Sequence, residues 1–251
     1  MSSKELFKQS KPKSRAFAAL LMLIAVAAFA LIVLRVVFYK FSFDPQYYPV
    51  DYGRFNFFSY FTVQSNLYVC FYLFCLSLAL FGSKRAGKIA FSPMVRLTVT
   101  TYILVTGAVY CAGIPMGMTP PLYWTDFYNC LLSTVQIVHH VFMPLLVLAL
   151  FLLTAKAGRI SLKKLPIVAV YPFVYSVFSI IRGALSDPEF YPYPFYRPEF
   201  FWNIFLKGHE MNPVPAYLLM LPMLILGVSV FVLIALALAF AGNLIFKKTE
   251  K

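Results

Sequence analysis

Six long apolar runs are the feature that most constrains the fold of this chain of 251 residues. They lie at about residues 16–39, 56–81, 94–116, 127–154, 165–185 and 215–246. A run of roughly 20 apolar residues is long enough to cross the hydrocarbon core of a bilayer as a helix. Helices satisfy their own backbone hydrogen bonds in lipid, and the sequence lacks the alternating segments of roughly ten residues that build membrane barrels. It therefore predicts an all-α integral membrane protein, a single domain of six transmembrane helices.

The composition of the chain is also that of a protein embedded in lipid. It is 61% hydrophobic and only 12% charged, whereas a water-soluble domain carries roughly a quarter charged residues. The first apolar run follows several lysines, as the core of a secretion signal does, but it exceeds the roughly 7–15 residues of such a core. We therefore expect the first run to be retained as a membrane anchor.

The distribution of basic residues predicts the orientation of the spans. Lysines and arginines are concentrated in the N-terminal tail, in the connections after the second and fourth spans, and in the C-terminal tail. The opposite connections hold Lys40, Arg54, Arg197 and Lys207. Cytoplasmic segments carry the excess of positive charge, so both termini are expected in the cytoplasm. Topology also explains the net charge of +13, which therefore indicates no nucleic-acid partner.

The cysteines and histidines show no metal-ligand spacing, and no cofactor is expected. Cys70 and Cys75 fall inside the second span and are predicted to be buried thiols. Cys111 and Cys130 fall near the outer ends of the third and fourth spans. Their positions permit a disulfide, and the sequence leaves its formation open, as it leaves the oligomeric state.

Polar side chains inside the second span lie mostly on one predicted helical face. Ser59, Thr62 and Asn66 follow a helical spacing, and Ser65 comes three residues after Thr62. Polar groups in a span either bond to neighbouring helices or form a functional site. The spacing alone leaves both interpretations open for this face.

The fourth span carries a longer polar stripe, formed by Asn129, Ser133, Gln136 and His140. The stripe favours His140, rather than the adjacent His139, as the histidine that faces the helix bundle. An imidazole titrates near neutrality and suits proton transfer, while a histidine bonded for packing is the alternative.

Arg182 lies near the outer end of the fifth span, where it either reaches the membrane surface or faces the bundle. From the rise of a helix, Thr62, His140 and Arg182 are all expected in the outer half of the bundle. Connections rich in aromatic residues and proline, at residues 113–126 and 185–203, lie at the same end as headgroup anchors or as a lid. The sequence therefore predicts a shared polar site in the outer half.

Three motifs resemble those of a bacterial six-span membrane family. They are YFTVQSN at residues 60–66, HHVFMP at 139–144, and YPFVYSVFSIIRGAL at 171–185 followed by YPYPF at 191–195. The family motifs have the forms FTxxSN, HxxxP and YPxxY…RG…YPYPF. That family is distantly similar to the eukaryotic androgen-induced membrane proteins, including the androgen-dependent regulator of tissue factor pathway inhibitor. The resemblance covers the second to the fifth span and implies a bacterial cytoplasmic membrane as the location.

The resemblance also implies an activity. The eukaryotic members are integral-membrane hydrolases of fatty acid esters of hydroxy fatty acids, and they depend on an intramembrane threonine and a histidine. Thr62 is the nucleophile that this resemblance implies. The HxxxP motif implies His140 as the histidine, whereas the eukaryotic spacing is met by His139. A neutral imidazole within hydrogen-bond reach of a threonine hydroxyl takes its proton and makes it nucleophilic.

Acyl transfer also needs hydrogen-bond donors for the developing oxyanion, and the candidates are Asn66, Ser65, Gln136 and Arg182. No acidic residue lies inside a span, so a complete catalytic triad is not expected. Arg182 is alternatively a ligand for a fatty carboxylate. The sequence thus predicts an intramembrane hydrolase of lipid-like esters, with its substrate and membrane lipids as partners. The alternatives are a transporter or a lipid-binding protein without catalysis, and a non-catalytic partner or sensor.

Overall fold

The fold is the six-span helical architecture that the sequence predicts. The computed structural model describes residues 12–39, 53–117, 119–186, 189–206, 209–210 and 212–249. Within these ranges every regular element is helical, and six helices are long and apolar enough to cross a membrane. The all-α prediction is therefore confirmed, and the six helices are those of an integral membrane protein. Lys40 and Lys207, two of the residues used to predict the orientation, lie outside the described residues.

Nine α-helices build the described part of the chain. In order they are α1 (Pro12–Val37), α2 (Phe61–Leu80), α3 (Lys84–Ala90), α4 (Pro93–Gly113), α5 (Phe127–Ile137), α6 (Met143–Leu153), α7 (Pro166–Leu185), α8 (Pro198–Phe205) and α9 (Pro213–Thr249). The fourth span consists of α5, a π-helical turn at Val138–Phe142, and α6. The sequence did not indicate α3 and α8, which are only 7 and 8 residues long.

Neighbouring spans run antiparallel, as hydrogen bonds between them show. Ser77, near the end of α2, donates to the carbonyl of Ala18, near the start of α1, at 2.6 Å. Ser65, in the first half of α2, bonds to Thr106, in the second half of α4, at 2.7 Å. We call the end of the bundle that contains Ser65 and Thr106 the tyrosine end, and the end that contains Ser77 and Ala18 the basic end.

Two buried clusters hold the spans together. The first lies between α1, α2, α3, α4 and α6 and is mainly aliphatic, with Leu73 and Ile103 fully buried in it. The second lies where α2, α4, α7 and α9 meet, and it contains the buried rings of Phe61, Tyr102 and Tyr175. Phe61 and Tyr102 contact each other with their ring centroids 5.6 Å apart, at an angle typical of aromatic pairs. These aromatic rings lie inside the bundle at the tyrosine end.

Arg96 at the basic end binds the end of a neighbouring helix rather than water. The sequence groups it with the charges that follow the second span, but α4 begins at Pro93 and Arg96 is only 1% exposed. Its guanidinium donates to the carbonyls of Thr154, at 2.6 Å, and Gly158, at 3.3 Å, just beyond α6. Because helix C-termini carry unpaired carbonyls and partial negative charge, this cation stabilises the end of the fourth span.

The structure bears on two details of the sequence prediction, the cysteines and Ser59. Cys70 and Cys75 are buried thiols, as predicted, and Cys111 and Cys130 are both free thiols without a disulfide. The prediction that Ser59 shares the helical face of Thr62 is wrong. Ser59 ends a 3-10 turn at Arg54–Ser59, and α2 begins only at Phe61 because the backbone is extended in between.

Candidate functional site

A cavity at the tyrosine end is the main candidate for a binding site. It has a volume of about 200 Å³ and lies between α2, α4, α7, α9 and the turn at Pro194–Tyr196. Its walls are mostly apolar, with Val105, Ile180 and Phe231 among the lining residues. The lining residues that carry hydroxyls are Thr62, Thr106, Tyr175, Ser176, Tyr193 and Tyr196. An apolar cavity with a few polar groups is the usual form of a small-molecule site.

Thr62 lies in the first turn of α2 and lines the cavity. Its backbone N–H donates to the Tyr193 hydroxyl at 3.0 Å, and its carbonyl accepts from Asn66 at 2.8 Å and from Ser65 at 3.0 Å. Among the described residues, its own hydroxyl makes no hydrogen bond. Of the polar side chains predicted on this face, Thr62 is therefore the one whose side chain makes no hydrogen bond to its surroundings within the described residues.

Two tyrosine hydroxyls cap the N-terminus of α2. Tyr60, at the cap position, makes no capping hydrogen bond with its side chain. Instead the N–H of Phe61 donates to the Tyr175 hydroxyl at 3.1 Å, and the N–H of Thr62 donates to Tyr193. Sequence reasoning missed both caps, because they join residues more than a hundred positions apart. These two bonds fix the N-terminus of α2, where the helix dipole is positive, at the cavity beside Thr62.

Ser65 and Asn66, which were expected to be oxyanion donors, connect helices instead. Both are fully buried, and neither lines the cavity. Ser65 bonds to the Thr106 hydroxyl, while the Asn66 amide donates to the carbonyls of Thr62 and His139, the latter at 3.2 Å. Asn66 thus connects the turn of Thr62 with the segment that carries the histidines, through backbone oxygens alone.

The histidines lie in a π turn that Pro144 explains. Within Val138–Phe142 the helix widens, and the N–H of Met143 bonds to the carbonyl of Val138. Pro144 lacks the N–H that would bond to the His140 carbonyl four residues earlier, and a proline ring clashes with that carbonyl in a regular helix. The wider turn relieves this conflict. π turns inside α-helices are frequent at functional sites.

The two histidine rings contact different helices. His139 is 4% exposed, and its Nε2 donates to the Ala28 carbonyl in α1 at 3.1 Å. His140 is half-buried, and its Nδ1 donates to the Gln136 carbonyl at 3.0 Å. Since a carbonyl only accepts, the basic nitrogen of neutral His140 is Nε2. The polar stripe does not predict the deeper burial of His139, because the π turn changes the helical period.

Tyr110 of α4 joins Gln136 and His140 into one cluster, and sequence reasoning missed it. Its ring stacks on the His140 ring with centroids 4.4 Å apart and 21° between the planes. Its hydroxyl donates to Gln136 Oε1 at 3.1 Å. Gln136 is buried, and its Nε2 has no hydrogen-bond partner in the part of the chain that the structure describes. Tyr110 comes four residues after Thr106 and therefore lies on the same face of α4. This spacing is the sequence signal from which Tyr110 could have been identified.

Arg182 binds the turn before α2 and, among the described residues, does not bond to the histidines. Its guanidinium donates to the side-chain oxygens of Ser59 and Asn56, and it lies over the Phe190 ring at 4.7 Å. It does not line the cavity. Through these bonds Arg182 fastens the 3-10 turn before α2 to the end of α7.

The structure therefore brings together only part of the predicted site. Thr62 shares the cavity with hydroxyl and aromatic groups, whereas His140 and Gln136 share a separate cluster with Tyr110. Within the described ranges, no hydrogen bond joins Thr62 to either histidine or to Arg182.

The fold and the cavity define the chain as a six-span helical membrane protein with an apolar interior site. Comparison of the chain with protein-family models, with curated proteins and with solved structures gave no match. The motif resemblance therefore stays a prediction.

Proposed function

We propose that the protein is an intramembrane hydrolase of lipid-like esters with Thr62 as its nucleophile. The observation that carries this proposal is Thr62 itself, which lines an apolar cavity and whose hydroxyl makes no hydrogen bond among the described residues. Polar side chains in spans usually bond to neighbouring helices, as Ser65 and Asn66 do. A hydroxyl that makes no bond to a neighbouring helix is a candidate for contact with a substrate. The motif resemblance implies the same residue.

The cavity suits the acyl chain of such a substrate. Its wall on α9 includes Met220, Met223 and Leu224, next to Gly227. Methionine side chains are flexible and adapt to the shape of an apolar ligand. An acyl chain bound against this wall would place its ester carbonyl next to Thr62, which lines the same cavity.

The proposed reaction is an acyl transfer in two steps. The Thr62 oxygen attacks the ester carbonyl carbon while a base takes the hydroxyl proton, and the alcohol leaves after it receives a proton. Water then cleaves the acyl-threonine ester and releases the fatty acid. The oxyanion formed in each step lies near the N-terminus of α2, whose dipole is positive there. The dipole favours the negative charge without donating a hydrogen bond, since the N–H groups of Phe61 and Thr62 are already bonded to tyrosine hydroxyls. The Ser65 and Asn66 side chains are likewise bonded elsewhere.

His140 is the proposed base, since its Nε2 is the ring nitrogen that is not bonded to the backbone. In this conformation it does not reach Thr62. Proton transfer therefore requires a water molecule between the two groups, or a rearrangement of the π turn when substrate binds. The Asn66 bond between the carbonyls of Thr62 and His139 places the two segments next to each other.

Lipid binding without catalysis is the second candidate function. The observation that favours it is the separation of both histidines from the cavity. In this case the Thr62 hydroxyl would donate to a carboxylate or another acceptor group at the end of an acyl chain, and the positive end of the α2 dipole would favour its charge. The cavity walls would contribute the same apolar contacts.

Turnover and binding measured side by side distinguish the two functions. The purified protein in micelles is given a fluorescent fatty ester and, separately, its ether analogue, which cannot be hydrolysed. The hydrolase proposal predicts that the wild-type protein cleaves the ester and that Thr62→Val and His140→Ala lose most of this activity. The wild-type protein and both variants should still bind the ether. Binding of both compounds with no cleavage supports the second candidate and contradicts the first.

Gly227→Leu is expected to shorten the acyl chain that the protein accepts. Gly227 lines the cavity, and a Cβ at this position would meet no atom within 4 Å. The leucine side chain therefore fills free space, and stability should change little. Because each methylene in an apolar pocket changes specificity by about tenfold or more, the ratio of long-chain to short-chain turnover should fall by about tenfold. An unchanged chain-length preference would contradict the assignment of the cavity.

We further propose that the basic end faces the cytoplasm of a bacterial cell and that the cavity lies in the outer half of its inner membrane. The excess of lysine and arginine at the basic end supports this orientation. Cys111 is exposed near the tyrosine end, whereas Cys70 and Cys75 are buried. A membrane-impermeant maleimide should therefore label Cys111 on intact cells. Labelling that occurs only after the cells are opened would reverse the orientation.

A further inference from the structure

A second concave site lies at the basic end, far from Thr62 along the bundle. It is a groove of about 400 Å³ between the C-terminal part of α9 and the connection that follows α6. Its lining residues are Arg159, Phe240, Asn243, Leu244, Phe246 and Lys247. The groove therefore combines two cations with three large apolar side chains, and neither the proposed reaction nor the sequence motifs make use of it.

The groove has a fixed shape because Asn243 binds the connection at both backbone groups of one residue. The Ile160 N–H donates to Asn243 Oδ1 at 2.8 Å, and Asn243 Nδ2 donates to the Ile160 carbonyl at 3.0 Å. Gly242 adds close packing, since a Cβ there would lie 3.2 Å from both Ile160 and Phe151. The backbone next to Arg159, directly before Ile160, is thereby fixed at the groove that Lys247 also lines.

We propose that this groove binds the phosphate headgroup of an anionic phospholipid, with Arg159 and Lys247 as its ligands. Both side chains are exposed, so their charges are available at the surface of the bundle. The guanidinium of arginine matches the geometry of phosphate oxygens, and lysine adds a point charge. Basic pockets between transmembrane helices are known forms of anionic lipid sites.

The apolar side chains identify the ligand as a lipid rather than free phosphate. Phe240 and Leu244 lie one helical turn apart on α9 and are 53% and 63% exposed. From the groove, these two side chains extend along the face of α9 that points away from the helix bundle. The acyl chains of a bound lipid would lie against this face. A soluble phosphate would gain nothing from these contacts. The proposal does not depend on ester hydrolysis at the other end of the bundle.

Native mass spectrometry of the purified protein tests this site. The full chain is titrated in micelles with phosphatidylglycerol and, separately, with phosphatidylcholine. We expect the wild-type protein to retain phosphatidylglycerol in preference. Since each cation near an anionic lipid contributes about 1 kcal/mol, the double variant Arg159→Gln/Lys247→Gln should lose about thirtyfold in apparent affinity. An excess of inorganic phosphate should leave the bound lipid in place.

Lys84→Gln/Lys163→Gln is the matched control, because it removes the same charge from exposed positions at the same end but outside the groove. It should retain phosphatidylglycerol like the wild-type protein. Equal losses in the two double variants would overturn the proposal, since general attraction to basic surface charge would then explain binding. Displacement of the lipid by inorganic phosphate would overturn the assignment of a lipid ligand. Elution of each variant as a single species in size-exclusion chromatography checks that it is folded.

Discussion

Replacement of Thr62 by valine is expected to reduce ester hydrolysis by about a thousandfold or more. Valine keeps the branched shape of threonine but lacks the hydroxyl, so the nucleophile is lost while the cavity keeps its form. Binding of the ether analogue should persist, because the apolar walls are unchanged. Initial rates of ester cleavage and equilibrium binding, both in micelles, measure the two effects on the same preparations.

Ser176→Ala is the matched control for this substitution. Ser176 lines the same cavity, but its hydroxyl is already bonded to the Pro172 carbonyl and to the Tyr196 hydroxyl, each at 2.8 Å. We expect this variant to retain most of the activity, and Thr62→Ser to retain measurable turnover because it keeps a hydroxyl. Wild-type rates in Thr62→Val would contradict the assignment of the nucleophile. Equal losses in Thr62→Val and Ser176→Ala would show that the shape of the cavity, and not the hydroxyl, had been lost.

Gly107→Leu is expected to lower the free energy of unfolding by about 1–3 kcal/mol, as overpacking of a close helix contact does. A Cβ at Gly107 would lie 2.9 Å from the His140 carbonyl oxygen and 3.0 Å from Pro144. The carbonyl belongs to the backbone and cannot turn away, so α4 and the π turn must separate. This separation would also move Tyr110 off the His140 ring. Thermal unfolding in micelles measures the loss of stability.

Gly227→Leu provides the comparison for this effect. It introduces the same side chain at another helical glycine, but at a position with open space around it. We expect its unfolding temperature to stay near that of the wild-type protein. A Gly107→Leu variant that unfolds at the same temperature as Gly227→Leu would contradict the close contact between α4 and the histidine segment.

The six spans were predictable because a long apolar run is stable in lipid only as a helix, which satisfies its own backbone hydrogen bonds. The predicted fifth span, 165–185, differs from α7 by a single residue. The start of the second span was less predictable, since the residues before Phe61 have the composition of a helix but form a 3-10 turn. Arg182 holds this turn from a position more than 120 residues later in the chain. Such a contact between distant segments leaves no trace in local composition.

The site was less predictable than the spans for a related reason. Helical spacing states which face a side chain occupies, but it does not state which helix lies opposite that face. Ser65 and Asn66 share the face of Thr62, yet they bond to α4 and to the histidine segment, while Thr62 lines the cavity. The π turn adds a second difficulty, because it changes the period on which the choice between His139 and His140 depended. Pro144 was the residue from which this turn could have been predicted.

Trapping of the acyl intermediate tests the role of Thr62 most directly. The protein is mixed with a fatty ester, quenched in acid within the first turnovers, digested, and mapped by mass spectrometry. We predict that the peptide containing Thr62 gains the mass of the acyl group and that Thr62→Val shows neither this adduct nor turnover. Ester hydrolysis that continues in Thr62→Val, or an acyl group attached to a different residue, would contradict the proposal that Thr62 is the nucleophile.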